Sequence, residues 1–562
     1  MRQTIVAAGL SVFAAALPAA GTREVQEPPP DPYQIRTVCT PTPPTTGRRV
    51  FAATGEELQR ALDGAAPGDV ILLQPGVTYR PAGADGSFTL RNRSVPVGQW
   101  IVLRSAHTAF DPRGALQSGT RVSDANAALM PQIRTARNNA PAIRVERGAR
   151  GYRLIGLDIG VEPAVHQITN LVELGSGSDS MLEQLPSEIV IDRSYLHGND
   201  AGNYRRGVAL NGMNLAVLDS YLSNFHDANG DSQAIAGWNG GGPFKIVNNY
   251  LEAASENIMF GGNDPAIPNL VPSDIEIRRN LSTKRPEWRD ARVPVKNAFE
   301  LKNARRVLVE GNLFERVWPS GQDGTAILLK SVNQNGNCPW CVTEYVTFRR
   351  NVVRNASQGI TINAIETGKR GLLRPVAVNH IRIEDVLFEE LTGKLFRIFG
   401  GATDVSITHV TSRSNPSSVL EPRDPADVNP NFIFKFNIVE RKAYGIGAGS
   451  NEGTRTLSRN FTPFSYRQNV IVNTSATSDQ SISDGALESR YPPTTWVVRN
   501  WDEVGFVTGT SKLAKSSRFV AAGEDGRDIG ADVDAIAAAQ NGARTGDGCG
   551  PMAIPRPRTG GR

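Results

Sequence analysis

The stretch Ile275-Glu276-Ile277-Arg278-Arg279-Asn280-Leu281 decides the fold, because variants of it recur along the chain. Each copy alternates apolar and polar residues with the period of a β-strand, turns at a small polar residue and re-enters apolar sequence. Strands and turns that repeat every 24 to 39 residues or so are typical of a solenoid. The other copies lie at residues 189–196, 216–222, 244–251, 307–314, 346–353 and 464–471.

The turn residue and the segments between copies indicate which kind of solenoid this is. Asn at a turn tolerates a left-handed backbone and can bond along the stack to its neighbour. We therefore predict a ladder of stacked asparagines, formed by Asn280, Asn312, Asn351, Asn437 and Asn469. Further strand-like segments separate the copies, at residues 208–211, 298–302, 327–330, 359–363 and 396–399. Two or three short strands per turn build stacked parallel sheets around an apolar interior.

This pattern resembles the right-handed parallel β-helix proteins of the pectate-lyase-like fold, over about residues 50–540. The resemblance implies an all-β, right-handed parallel β-helix solenoid. Residues 54–57 read as a capping box, followed by an amphipathic helix through Leu58, Ala61 and Leu62. We expect this N-terminal capping helix to plug the open end of the stack.

The two ends of the chain have compositions that do not suit a packed core. Residues 1–21 carry one positive charge, an apolar stretch and small residues, which predicts a secretory signal too short for a membrane span. Residues 22–49 form a Pro-rich tether, and residues 541–562 a flexible tail. We therefore expect a secreted or periplasmic protein with no membrane span.

The overall charge and the cysteines narrow the function further. A net charge of +5 over 562 residues is compatible with an anionic partner, and no Lys/Arg run interleaved with aromatics suggests nucleic acid. We expect a monomer. Cys338 and Cys341 can form a local disulfide, a redox pair or two free thiols, of which export favours the disulfide. Cys39 and Cys549 could pair only if the tether folds back along the solenoid.

A possible reactive cluster lies on corresponding strands of successive turns. Lys302 and Lys330 occupy matching places, so a parallel stack brings them roughly 5 Å apart. Glu300 lies two residues before Lys302 and therefore on the same face. Asn211 and Asn363 take the same place in other turns. The predicted result is a polar column that can bind an acidic sugar chain.

This cluster resembles the active site of the β-helix alginate lyases and chondroitinase B. The resemblance implies β-elimination across a uronic acid, with Lys302 as the base, Lys330 where the family has Arg, and calcium held by neighbouring Asn and Glu. Lys cannot bind a carboxylate with the two-point fork of Arg, which weakens the match. Lys302 can act as a base only if its pKa falls from about 10.4 toward about 7 or 8. Glu300 opposes that fall unless calcium occupies it.

Candidate metal ligands and a sugar-binding aromatic lie near this cluster in sequence. Oxygen ligands suit calcium, and the candidates are Glu300, Asp231, Glu256 and Asn257. Asn and Asp at β-helix turns also serve purely backbone roles. The ring of Trp238 can stack on a sugar, or it can pack on the loop glycines around it.

Two functional classes remain open. Lys and Glu on an outer sheet face often form only a solvated cross-strand ion pair. The alternative to a polysaccharide lyase is therefore a non-catalytic secreted protein that binds carbohydrate or belongs to the cell envelope. In either class the expected partner is an acidic polysaccharide.

Overall fold

The computed structural model describes residues 47–367, 373–414, 417–423, 427–447 and 451–540. The predicted signal (1–21), almost all of the predicted tether (22–49), Cys39, Cys549 and the predicted tail (541–562) lie outside these residues.

The described residues form two long sheets and one small sheet in which neighbouring strands run parallel. We call the 26-stranded sheet, sheet A, and the 12-stranded sheet, sheet B. A typical turn of the solenoid contributes two strands to sheet A and one to sheet B, as in Ser273–Arg278, Leu281–Thr283 and Phe299–Leu301. The fold is a right-handed parallel β-helix, which confirms the prediction from the repeat.

The strands have the following bounds. Sheet A contains Arg49–Ala52, Val70–Leu73, Thr78–Tyr79, Ile101–Ser105, Gln132–Thr135, Arg150–Ile155, Asp158–Val161, Ser187–Asp192, Tyr195–His197, Met213–Leu218, Tyr221–Phe225, Phe244–Val247, Tyr250–Ala253, Ser273–Arg278, Leu281–Thr283, Ala304–Glu310, Leu313–Val317, Thr343–Arg349, Val352–Ala356, Asn379–Leu391, Thr403–Arg413, Phe432–Lys435, Ile438–Arg441, Phe464–Arg467, Val470–Asn473 and Trp496–Val498. Sheet B contains Phe88–Leu90, Ile143–Val145, Val172–Leu174, Arg206–Leu210, Gln233–Gly237, Glu256–Phe260, Phe299–Leu301, Thr325–Asn333, Gln358–Thr367, Lys394–Phe399, Ser418–Glu421 and Tyr444–Ile446. The small sheet pairs Gln167–Ile168 with Asn203–Tyr204.

The asparagine ladder lies at the turn between the two sheet A strands of each rung. The side-chain oxygen of Asn312 accepts hydrogen bonds from the backbone and side-chain N–H groups of Asn280 at 2.9 and 3.0 Å, and Asn351 does the same for Asn312 at 2.8 and 3.0 Å. Asn437 and Asn469 repeat the contact. The ladder is therefore confirmed, because each buried amide satisfies the rung before it.

The sequence predicts a left-handed backbone at the ladder asparagine. In the structure the left-handed residue is the one before it. Arg279 and Arg350 have φ of 55° and 53°, and Gly311 has 66°. The ladder residue keeps an ordinary backbone, because its role is to bond along the stack. The preceding residue makes the bend, and its side chain, as in Arg279 and Arg350, contacts neighbouring elements on the outside of the solenoid.

The interior of the solenoid is one continuous apolar cluster that runs from Ala52 to Tyr491. The helix Gly55–Asp63 adds Leu58 and Leu62 to it, so the predicted N-terminal helix exists. Its N-cap is Thr54, which accepts from the Glu57 N–H, whereas the Glu57 carboxylate reaches back to the Ala53 N–H. That this helix seals the end of the stack stays a prediction.

Three more helices follow late in the chain, at Thr454–Asn460, Asp484–Glu488 and Val533–Gln540. No described residue after Val498 adds a strand to sheets A or B, although the predicted solenoid extends to residue 540. This last segment packs on the outside of sheet A, where Ile536 contacts Val352 and Leu387. Cys338 and Cys341 form a disulfide in the loop before Thr343–Arg349, as export favoured. None of the described helices is long and apolar enough to cross a membrane.

Candidate functional site

The sequence-predicted cluster forms on the outer face of sheet B. Phe299 and Leu301 point into the core, so Glu300 between them points outward. The strand Phe299–Leu301 pairs in parallel with Thr325–Asn333, which places Lys302 and Lys330 in matching positions beyond it. Their ammonium groups approach the same carboxylate: Lys302 Nζ lies 3.6 Å from Glu300 Oε2, and Lys330 Nζ lies 3.3 Å from Oε1. The predicted grouping is confirmed.

Glu300 is fully buried beneath the two lysines. Burial opposes ionisation, but the positive charges of Lys302 and Lys330 outweigh it and hold the pKa of Glu300 below its ordinary value. Neither carboxylate oxygen receives a well-aligned hydrogen bond from a described amide, hydroxyl or ammonium group. Glu300 is therefore a buried anion whose charge is balanced almost entirely by ammonium groups.

The protonation state of Lys302 differs from the one that a base requires. Burial alone would lower the pKa of its ammonium, but the carboxylates of Glu300 and Glu256 outweigh burial and raise it. Without a bound cation Glu300 therefore opposes the fall of this pKa, as expected, and the role of Lys302 as a base stays a prediction. The physical reason is distance, since Glu300 Oε2 lies 3.6 Å from Lys302 Nζ.

Glu256 comes from the preceding rung and completes a carboxyl pair with Glu300. Its side chain is buried, and its Oε2 accepts a hydrogen bond of 2.7 Å from Gln233 Nε2. Burial and the neighbouring charge of Glu300 raise the pKa of Glu256 to about 7. The negative charges of the two carboxyl groups repel, which favours one proton on the pair. Both residues were candidate ligands of one metal ion, although Glu256 and Glu300 stand at different positions of their strands.

The rim of the cluster carries further charges. Glu366 Oε2 accepts from Lys330 Nζ at 2.9 Å and, more weakly, from Asn363 Nδ2 at 3.4 Å. Asn363 thus lies beside Lys330, as predicted. Asp231 pairs with Lys296, and its charge acts on both Glu256 and Lys302. The outer face around Lys302 therefore alternates carboxylates and ammonium groups.

Asn211 and Trp238 lie on earlier rungs of the same sheet and are held within the fold. The Oδ1 of Asn211 accepts the backbone N–H groups of Trp238 and Asn239 at 3.1 and 3.0 Å. Trp238 is 8% exposed, packs against Gly177, and has the guanidinium of Arg206 over its ring at 4.7 Å. These contacts favour packing over a free sugar-stacking face, and the substrate-binding roles of both residues stay predictions.

Asn257, a predicted calcium ligand, has its amide fully engaged inside the fold. Its Nδ2 donates to the carbonyls of Leu251 and Thr283 at 2.7 and 2.8 Å, and its Oδ1 accepts from Lys284 Nζ at 2.9 Å. The structure therefore does not support Asn257 as a metal ligand. It lies inward of the strand, whereas the neighbouring Glu256 lies outward.

Lys284 is the most unusual group near the site, and sequence reasoning missed it. It is fully buried, and its Nζ donates to Asn257 Oδ1 and to the carbonyls of Ala253, Ser255 and Asn297, all at 2.9 to 3.0 Å. Burial lowers its pKa to about 7. One signal was present: Ser282 pairs with Leu251 and Phe314 of the adjacent rungs, so this rung places a small polar residue where its neighbours place large apolar ones.

Few side chains near the site are placed to ligate a metal ion. Across the part of the chain that the structure describes, no group of three or more His, Cys, Asp or Glu side chains is arranged to hold a metal ion. However, Glu256 Oε1, both Glu300 oxygens and Gln233 Oε1 are buried without a hydrogen-bond donor. Oxygen atoms of this kind fit a calcium ion, which takes six to eight such ligands and would complete its shell with water or substrate.

No protein-family model and no curated protein sequence matches this chain. Solved structures do resemble it. An alginate lyase from Paenibacillus sp. str. FPU-7 is 14% identical over 67% of this chain and 95% of its own, with a TM-score of 0.35. The pectate lyase Pel9A is 13% identical over 86% and 96%, with a TM-score of 0.35. A GH87 α-1,3-glucanase from Streptomyces thermodiastaticus is 12% identical over 83% and 69%, with a TM-score of 0.39. The likeness is one of fold.

Proposed function

We propose that this protein is exported and cleaves an anionic, uronate-containing polysaccharide by β-elimination on the outer face of sheet B. The observation that carries the proposal is the pair of lysines, Lys302 and Lys330, whose ammonium groups share the buried carboxylate of Glu300. A rigid solenoid holds these groups on adjacent rungs, so a bound chain meets a preformed site. The disulfide Cys338–Cys341 supports export to an oxidising compartment.

Each lysine has a separate role in the proposed reaction. The Lys330 ammonium faces the uronate carboxylate and stabilises the negative charge that develops when the adjacent carbon, C5, loses its proton. The amine of Lys302 accepts that proton. The electrons of the C–H bond form the C4–C5 double bond, the bond from C4 to the glycosidic oxygen breaks, and that oxygen takes a proton from water.

Glu300 controls how readily Lys302 accepts a proton. While no metal ion is bound to Glu300, Lys302 stays an ammonium group at neutral pH, since the carboxylate raises its pKa. A calcium ion held by Glu256, Glu300 and the Gln233 amide would supply positive charge that offsets this effect. The proposed reaction therefore proceeds through the small neutral fraction of Lys302, which grows as pH rises.

Calcium binding is expected to be visible in stability as well as in activity. If Glu256, Glu300 and Gln233 hold the ion, addition of calcium to chelator-treated protein should raise the melting midpoint, because a ligand that binds only the folded state stabilises it. Glu256→Gln should weaken this response, whereas Glu421→Gln, which alters a carboxylate–lysine pair elsewhere on sheet B, should leave it intact. An identical calcium response in wild type and Glu256→Gln would contradict the ligand assignment.

Neutralising Glu300 should move the pH dependence of cleavage to lower pH. Glu300→Gln keeps the shape of the side chain but removes the charge that raises the pKa of Lys302, so the neutral amine forms at lower pH. We expect the alkaline rise of kcat/KM to shift by about one pH unit or more toward neutrality. An unchanged profile, or a shift to higher pH, would show that Lys302 is not the base.

The raised pKa of Lys302 also favours a second candidate function. Two neighbouring lysines can bind an acidic polysaccharide without cleaving it. The two functions are separated by incubating the protein with pectate, alginate and glycosaminoglycans and following ultraviolet absorbance. Elimination creates a conjugated unsaturated uronate, which absorbs, whereas binding changes no bond. Retention on a polyuronate column without any rise in absorbance would establish the binding function.

A further inference from the structure

Arg206 occupies a position on sheet B that the proposed reaction does not use. It begins the strand Arg206–Leu210 and pairs with Gln233, which in turn pairs with Glu256. Arg206 therefore lies in the same outward column as Glu256, two rungs toward the N-terminus. Lys302 lies one rung further and at the other end of its strand, in the column of Asn211, so about 14 Å across the strands and about 16 Å along them separate it from Arg206.

The guanidinium group of Arg206 is buried without a counter-ion. The residue is 9% exposed, and among the described residues no carboxylate lies within 4.0 Å of it. Its Nε has no hydrogen-bond acceptor, and its Nη1 donates only a long bond of 3.4 Å to Asn170 Oδ1. The guanidinium carbon lies over the ring of Trp238, 4.7 Å from its centroid. No described carboxylate therefore pairs with the positive charge of Arg206.

An unmatched buried cation is costly for a folded protein. Removing such a charge from water costs more free energy than a cation–π contact returns. Burial and the neighbouring charge of Arg205 lower the pKa of Arg206 to about 10, so it remains charged at neutral pH. Glu256 and Asp231 act on it only at long range. The lack of a paired acid at Arg206 makes this end of sheet B a place for an external anion.

We propose that Arg206 binds the carboxylate of a second uronate of the same polysaccharide chain, at a subsite that Trp238 orients and that lies along sheet B from Lys302. The proposal rests on the proposed function for the nature of the ligand. A guanidinium group presents its N–H groups in a planar fork that matches the two oxygens of a carboxylate. A chain bound at both Arg206 and Lys302 crosses the outer face of sheet B diagonally.

The test measures binding rather than cleavage. In a Lys302→Ala background, calorimetry compares the uronate hexasaccharide and disaccharide with a carboxyl-reduced, neutral hexasaccharide. Arg206→Gln should weaken the hexasaccharide by about tenfold or more, which corresponds to about 1.4 kcal/mol, and leave the disaccharide unchanged. Arg206→Lys should bind the hexasaccharide with an affinity between those of wild type and Arg206→Gln. The neutral hexasaccharide should bind wild type and Arg206→Gln equally weakly, and Arg205→Gln, which alters the exposed neighbour, is the matched control.

Stability separates the subsite from a purely structural role. Because Arg206→Gln removes an unpaired buried charge, its melting midpoint should be unchanged or higher, whereas a structural arginine would leave a destabilised variant. Equal hexasaccharide affinity in wild type and Arg206→Gln, or loss of affinity only through unfolding, overturns the proposal. If no polyuronate is cleaved by wild type but Arg206→Gln still binds the hexasaccharide more weakly, the subsite stands and the lyase function fails.

Discussion

Lys302→Ala is expected to lower the rate of β-elimination on a polyuronate by about 10²-fold or more, the usual effect of losing a general base. The amine of Lys302 is the proposed proton acceptor, and no other described amine contacts Glu300 except Lys330, which has the role of charge stabiliser. The measurement is initial velocity at saturating and limiting substrate. The loss should appear in kcat as well as in kcat/KM, because proton transfer occurs only in the transition state.

The fold should survive this substitution. Glu300 keeps Lys330 at 3.3 Å, so it does not become an isolated buried charge. The side chain of Lys302 is partly buried, however, and we expect a measurable drop in melting midpoint rather than none. Lys296→Ala, which removes a lysine from the rim, is the matched control and should retain most activity. Full activity in folded Lys302→Ala would refute the assignment.

Lys284→Met is expected to cause the largest loss of stability among the substitutions considered. The change removes the donor that satisfies four buried oxygen atoms, and Met cannot replace any of these bonds. Each unsatisfied buried acceptor costs about 1 to 3 kcal/mol, partly recovered by relaxation, so a net loss of about 3 kcal/mol or more is expected. Chemical denaturation of the two proteins at the same pH measures it.

The difference in stability between wild type and Lys284→Met should increase as pH rises. The pKa of Lys284 is about 7 in the folded protein and near 10.5 in an unfolded chain, so between these values the unfolded state binds the extra proton. Wild-type stability therefore gains from this group as pH rises from about 7 to about 10.5, and the Met variant lacks that gain. The difference between the two proteins should widen over this range. A constant or narrowing difference, with the exposed Lys515→Met as reference, would contradict the pKa.

The sequence was most informative where a single rule repeats. Alternation of apolar and polar residues sets which side chains enter the core, and a fixed turn residue sets the register, so the strands around Asn280, Asn312 and Asn351 could be placed from sequence. The same register placed Lys302 and Lys330 over Glu300. The left-handed residue was assigned one position too late, because sequence shows which residue is constant but not which one bends.

Glu256, Asn257 and Lys284 show where this reasoning ends. In sequence Glu256 and Asn257 are equivalent acidic or amide neighbours, yet the first faces Glu300 outside and the second binds Lys284 inside. The direction of each side chain depends on the local irregularity of its strand. Neither alternation nor composition records that irregularity.

The sequence by itself determined the solenoid, its asparagine ladder, the disulfide-forming cysteines and the position of two lysines beside one glutamate. Only the tertiary structure decided the charge state of that cluster, the burial of Lys284 and the missing counter-ion of Arg206. The physical reason is the range of the interactions. The register of the strands depends on residues within one repeat. Burial and electrostatic interactions depend on side chains from several rungs, which loops of unequal length bring together.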